Sequence, residues 1–338
     1  MTDPAPGRAL AGKSATSSVL PAAAATLCAM ISVQSGAAVA VLLFDQVPPA
    51  GTAWLRLSFG ALLLLLWTRP WARSLPARDL GAAAALGAAS AAMTLCSFQA
   101  IDSLPLGTVS AVEFLGPLTV ALFGSRRPAD LLWPVIALAG VLLLTRPWAA
   151  DANWVGIGFA LGAAVGLAGY IVLTQKVADR FTGQQGIALS TTGAALFTGL
   201  AVGWGAEGSW WSPRALLISA AAAVLLPIIP HVLETLALRR LTAGAFGTLM
   251  SLEPAVGTGI GAIALAQIPD PQQLFGVVLV CVAGIAACRG GARQAEAAPR
   301  GDTEPTTQAS SGDTEPTAQS CQVNTEPTAQ ASRVGPTR

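Results

Sequence analysis

The chain has 338 residues, 37 of them charged, and a net charge of +1. With 53% apolar and 11% charged residues, against about 25% charged in an ordinary soluble domain, it lacks the polar surface that a water-soluble protein of this length needs. There is no basic excess to hold nucleic acid, and 24 of the charges fall in residues 20–289 while 13 fall in the 68 positions outside, so the middle of the chain is suited to lipid.

Residues 1–19 form a short N-terminal segment, and ten apolar stretches follow near 20–43, 51–68, 79–100, 104–124, 129–147, 154–175, 185–206, 214–238, 241–266 and 271–289. Each approaches the roughly 20 residues that a helix needs to cross a hydrocarbon layer about 30 Å thick. The fold class expected is an all-α membrane protein of ten transmembrane helices. Arg8 and Lys13 before the first stretch resemble the start of a secretory signal. The stretch is too long for one and nine more follow, so it is expected to be retained. Basic residues set the orientation. With the N-terminus in the cytoplasm, thirteen Arg and Lys lie on the inner side, Arg69, Arg126, Arg127, Lys176 and Arg240 among them, and only Arg146 and Arg214 lie outside. Both termini are then cytoplasmic.

The second stretch carries Arg56, about five residues inside its outer end. It either snorkels to the interface or turns inward to meet a carboxylate of a neighbouring helix or a substrate. The fourth stretch holds Glu113 followed by the helix breakers Gly116 and Pro117. In the sixth, Gly158, Gly162 and Gly166 form a small-residue stripe, open to bundle packing or to a homodimer contact. The eighth holds His231 and Glu234, which share a face three residues apart and are candidates for a cytoplasmic gate or a polar tie within the bundle. No HExxH pattern accompanies this single histidine, which argues against zinc chemistry and against an enzyme. The ninth stretch carries Glu253 and the breaker Pro254. Five cysteines show neither a CxxC nor zinc-ligand spacing, and neither a metal nor a cofactor is expected. From residue 290 the composition changes: Thr303-Glu304-Pro305, Thr314-Glu315-Pro316 and Thr325-Glu326-Pro327 recur every 11 residues in a polar, proline-bearing tail that is expected to be disordered.

Sliding the sequence by 137 residues lays Ala100–Pro117 on Ala237–Pro254, matching Leu104 with Leu241, Gly107 with Gly244, Leu115 with Leu252 and Pro117 with Pro254. Two five-helix repeats result, 20–147 and 148–289. Because each contains an odd number of spans, they are inverted relative to one another, an arrangement that places a transport site at the repeat interface near midplane. Charged groups at that depth cost at least about 2.5 kcal/mol on insertion scales. Glu113 and Glu253 lie about 14 Å and 18 Å deep at 1.5 Å per residue, from opposite faces. Proton binding and release, capture of a substrate ammonium and hydrogen bonding to kinked backbone are all open to them.

Two segments carry a family resemblance. Ala111-Val112-Glu113-Phe114-Leu115-Gly116-Pro117-Leu118, with Ala121-Leu122-Phe123 and Arg126-Arg127 after it, resembles the fourth-helix motif of bacterial threonine/homoserine exporters. Those belong to the EamA group of the drug/metabolite transporter superfamily. Glu234, Ala237-Leu238-Arg239-Arg240-Leu241 and Phe246-Gly247-Thr248-Leu249-Met250-Ser251-Leu252-Glu253-Pro254-Ala255 are similar to the matching motif of the second half. The resemblance spans about residues 20–289. It implies a bacterial plasma-membrane exporter of small amino acids or analogues, driven by protons. It departs from the pattern at His231, where an aromatic residue is expected, and at Leu265-Ala266-Gln267-Ile268, where an acidic one often stands. A broad drug or metabolite exporter and a non-transporting membrane scaffold that uses the tail remain the alternatives.

Overall fold

The computed structural model describes residues 10–69, 77–123, 131–150, 152–178, 185–202, 205, 208–238 and 240–297. They belong to one compact unit, Met1–Ala298. The Thr-Glu-Pro repeats lie outside the described residues, as do Arg126, Arg127 and Arg239.

Among the described residues the elements are all helical: α1 (Leu10–Val41), α2 (Pro49–Thr68), α3 (Ala77–Ser103), α4 (Leu106–Glu113), α5 (Leu115–Phe123), α6 (Leu132–Thr145), α7 (Trp154–Ala178), α8 (Gln185–Val202), α9 (Pro213–Ala223), α10 (Ile229–Leu238), α11 (Ala243–Met250), α12 (Glu253–Ala264) and α13 (Pro271–Ala297). A π turn, Val224–Ile228, joins α9 to α10. Among the described residues seven segments are long and apolar enough to cross a membrane: Leu20–Val41, Pro49–Thr68, Asp79–Ser103, Trp154–Val177, Gln185–Val202, Pro213–Glu234 and Pro271–Cys288. Large apolar side chains face outward along them, with Val165, Leu200 and Leu217 each about two-thirds exposed or more, as a lipid-contacting surface requires.

The other three stretches expected as spans are not single long helices. The fifth is the 14-residue helix α6, and the fourth and ninth are each broken into two helices. Proline explains where the breaks fall. Its ring cannot donate to the carbonyl four residues back and collides with it. Accordingly α4 stops at Glu113, four residues before Pro117, and α11 stops at Met250, four before Pro254. In the same way α9 stops at Ala223, four before Pro227. The breaks thus open upstream of the expected breakers, and Gly116, Pro117 and Pro254 themselves sit in the first turns of α5 and α12. Helices α4 and α11 are both eight residues long and begin and end 137 residues apart.

Backbone groups freed by these interruptions need partners away from water. In the π turn the Leu225 carbonyl accepts from Ser32 Oγ of α1 at 2.7 Å. Close packing rests on small residues. Gly162 and Gly166 of α7 lie against Cys96 and the Met93 backbone of α3, so a Cβ at Gly166 would come within 2.9 Å of Met93, whereas Gly158 faces open space. Two of the three stripe glycines therefore serve bundle packing. Helix α3 lies along α7 and α8, α2 along α8 and α9, α1 along α10, and α6 along α13. Phe98, Leu106, Val112, Phe114, Leu144 and Val280 belong to the largest buried apolar cluster, which runs between these helices.

Candidate functional site

The breaks place charge inside the bundle. Glu113, the last residue of α4, accepts a hydrogen bond from Ser97 Oγ of α3. Arg56 is buried on α2 and points inward, not to the interface: its Nη2 donates to Thr94 Oγ1 at 3.2 Å, and its guanidinium carbon lies 5.4 Å from the centre of the Phe98 ring. Thr94, Ser97 and Phe98 occupy positions i, i+3 and i+4, one face of α3. Opposite charges from α2 and α4 are thus tied to a single helical stripe without forming an ion pair with each other. Among the described residues Arg56 has no carboxylate partner, and its Nε has no hydrogen-bond partner.

The second acid is built differently. Glu253 opens α12, and its Oε1 accepts from Gln34 Nε2 of α1 at 3.4 Å. Gln34 is buried, and its Oε1 accepts from Ser110 Oγ of α4 at 3.3 Å. Glu253 also lies within electrostatic reach of Glu113 and Glu234, and Glu234 within reach of Tyr170 on α7. The structure therefore groups Glu234 with the interior acids. His231, one turn before it in α10, is half-buried. Among the described residues no group of three His, Cys, Asp or Glu could hold a metal ion.

Helices α4 and α12 meet in a seam. At its far end Gln267 Oε1 accepts from the Leu106 backbone N–H, one of the orphan donors of the α4 N-terminus, at 2.9 Å. Gly107 sits directly against Thr258, and Gly257 and Gly261 of α12 leave room for Ser110 and Gln267. A recess of about 220 Å³ opens there, lined by Thr108, Thr258, Gln267 and Gln273 among others. Beside it Arg146, in the cap of α6, pairs with Asp270 ahead of α13. Asp270 is held below the usual carboxylate range, first by the Gln273 backbone N–H and then by Arg146.

Reading the sequence for charge alone missed Thr94, Ser97, Gln34, Ser110 and Gln267. A usable signal was present for two of them, since Thr94 and Ser97 are polar residues at same-face spacing within an apolar stretch.

Residues 154–287 match the EamA-like transporter family. Over 264 residues, 77% of this chain and 88% of the relative, the sequence is 36% identical to the threonine/homoserine exporter RhtA of Escherichia coli (strain K12). It is 35% identical over 271 residues, 79% of this chain and 89% of the relative, to the RhtA of Salmonella typhimurium (strain LT2). A crystal structure 20% identical in sequence superposes with a TM-score of 0.54, covering 81% of this chain and 99% of that one, and shares the fold.

Proposed function

The chain belongs to the EamA-like transporter family, and we propose that it exports small zwitterionic amino acids of the threonine and homoserine class in exchange for protons. The observation that carries the substrate class is the pair Arg56 and Glu113, held one turn apart on the same face of α3. A buried guanidinium with no counter-ion among the described residues is costly, and a substrate carboxylate supplies one. The substrate ammonium then meets Glu113, leaving Glu253 as the proton carrier. The names of the relatives agree with this class.

The architecture proposed is ten membrane crossings in two inverted halves, counting α4 with α5, α9 with α10, and α11 with α12 as one crossing each. Packing supports it. Under the 137-residue shift and its continuation through each half, α3 on α7 corresponds to α1 on α10, and α5 on α7 to α1 on α12; α6 on α13 and α2 on α8 map onto themselves. With both termini cytoplasmic in a bacterial inner membrane, the α4–α12 seam and the Arg146–Asp270 pair lie at the outer face. The structure then corresponds to a state closed on that side.

Efflux from proteoliposomes loaded with threonine, homoserine and a panel of other amino acids, with and without a pH gradient, tests the proposal. Efflux of threonine or homoserine that the gradient accelerates supports it. Efflux of hydrophobic cations but of no amino acid overturns it in favour of a broad drug exporter.

A further inference from the structure

An amide bridges Glu253, the proton carrier of the proposed cycle, to Ser110 of α4. Gln34 is 4% exposed, within the apolar span Leu20–Val41 of α1, and a buried polar side chain there is costly unless hydrogen-bonded. Both ends of its amide are used. Nε2 donates to Glu253 of α12, and Oε1 accepts from Ser110 of α4. The surrounding backbone makes room for this bridge: a Cβ at Gly257, one turn beyond Glu253, would stand 2.8 Å from Ser110 Oγ and 3.3 Å from the Gln34 amide. A leucine would fill the space with apolar contacts, so packing alone does not call for an amide.

We propose that Gln34 is a positioning residue of the transport cycle, an amide relay that sets the hydrogen bonding of α4 according to whether Glu253 carries a proton. The inference rests on the reading of Glu253 as the proton carrier. A carboxylate only accepts hydrogen bonds, so it selects the orientation in which Nε2 faces it. When a proton binds to one Glu253 oxygen, the new O–H is a donor and opens the opposite orientation, which a carboxylate forbids, with Gln34 Oε1 accepting from it. Nε2 then donates to Ser110 Oγ. The Ser110 hydroxyl has a second acceptor already in place, the Leu106 carbonyl at 3.0 Å, and turns fully to it. The carboxyl, the amide oxygen and the serine hydroxyl each keep a partner in both orientations. The amide is therefore two-state, and its state reaches Ser110 and Leu106, the turn whose N–H is bound by Gln267 at the far end of the seam.

Among the described residues the titratable groups that act on Glu253 are Glu113 on α4 and Glu234 on α10, and the Cys281 thiol of α13 lies against the backbone of Ala255, two residues on. These set the background against which the relay is read. The test is an infrared titration of the purified full chain in lipid, following the carbonyl band of the protonated carboxyl that Glu253→Gln removes. It needs no substrate, so its result stands even for a chain that transports no threonine. Loss of the bridging hydrogen bond in Gln34→Leu is expected to displace the midpoint of that band by about one pH unit. Ser110→Ala displaces it by less, and only while Gln34 is present; in the Gln34→Leu background the serine substitution has no further effect. An unmoved midpoint in Gln34→Leu, or a Ser110→Ala shift that persists in the double variant, would overturn the relay.

Discussion

The two broken helices begin from the same local chemistry and end in different surroundings. Helices α4 and α11 have the same length, and each stops four residues before a proline. Yet the acid of the first half closes α4 before its break, whereas the acid of the second half opens α12 after its break. The packing differs as well. Helix α4 lies in a seam with α12, while α11 lies along α13, and no comparable seam joins α11 to α5 among the described residues. In the proposed architecture, two inverted halves with the same breaks in unlike packing correspond to one side sealed and the other released. On this account, exchanging the two packings is the transport step.

The largest expected effect comes from the acid that closes α4. Glu113→Gln removes a charge-assisted partner of the substrate ammonium and is expected to lower gradient-driven efflux by about 10- to 100-fold, the equivalent of 1.5–3 kcal/mol. Glu253→Gln should instead leave substrate exchange at equal pH intact and abolish acceleration by the gradient. Identical behaviour of the two variants would erase the division of labour between the halves.

Next come the breaks. Pro117→Ala and Pro254→Ala each restore an N–H and make an unbroken helix about 3 kcal/mol less costly to form. Both are expected to raise the unfolding temperature and to slow turnover several-fold, by similar amounts. An effect from only one proline would show that the breaks are not equivalent. A smaller effect is expected in the seam: Gly257→Ala should destabilise by about 1–3 kcal/mol, because its Cβ meets Ser110 and Gln34. Gly259→Ala, two residues on, faces open space and should be neutral or slightly stabilising. Thermal unfolding in one detergent separates them.

The smallest effect is at Asp270. Its depressed folded pKa means that its contribution is fully present above the unfolded value, near 3.9, and is lost as pH falls through the folded one. Asp270→Asn should therefore lower the unfolding temperature slightly at neutral pH, and the difference from wild type should vanish in acid. A difference that persists unchanged below both values would mean that the carboxylate is not what holds the Arg146 end of the seam.

Much of this was legible in the residues. Apolar length located the helices, although α1 and α13 run beyond the expected stretches, and α6 is shorter than its stretch because chain entry and exit are not set by hydropathy. The proline pairs announced the interruptions. Their position came from the carbonyl four residues back, which is a property of the helix and not of the proline's own place in the sequence. Glu113, Glu253 and Arg56 stood out because charge in an apolar stretch is conspicuous. Gln34, Thr94, Ser97 and Ser110 did not, because neutral polar residues recur throughout membrane helices and acquire meaning only from what faces them. The choice between an Arg56 at the interface and one turned inward also needed the packing of α2 on α3.

The central claim is that Arg56 and Glu113 clamp the two ends of a zwitterion, and competition against labelled threonine in proteoliposomes tests it most directly. The competitors are threoninol, which lacks the carboxylate, and 2,3-dihydroxybutyrate, which lacks the ammonium. The wild-type chain is expected to reject both. Arg56→Gln should lose its preference for threonine over threoninol while still rejecting the hydroxy acid, and Glu113→Gln should show the reverse. Unchanged rejection of threoninol by a folded Arg56→Gln variant would contradict the account.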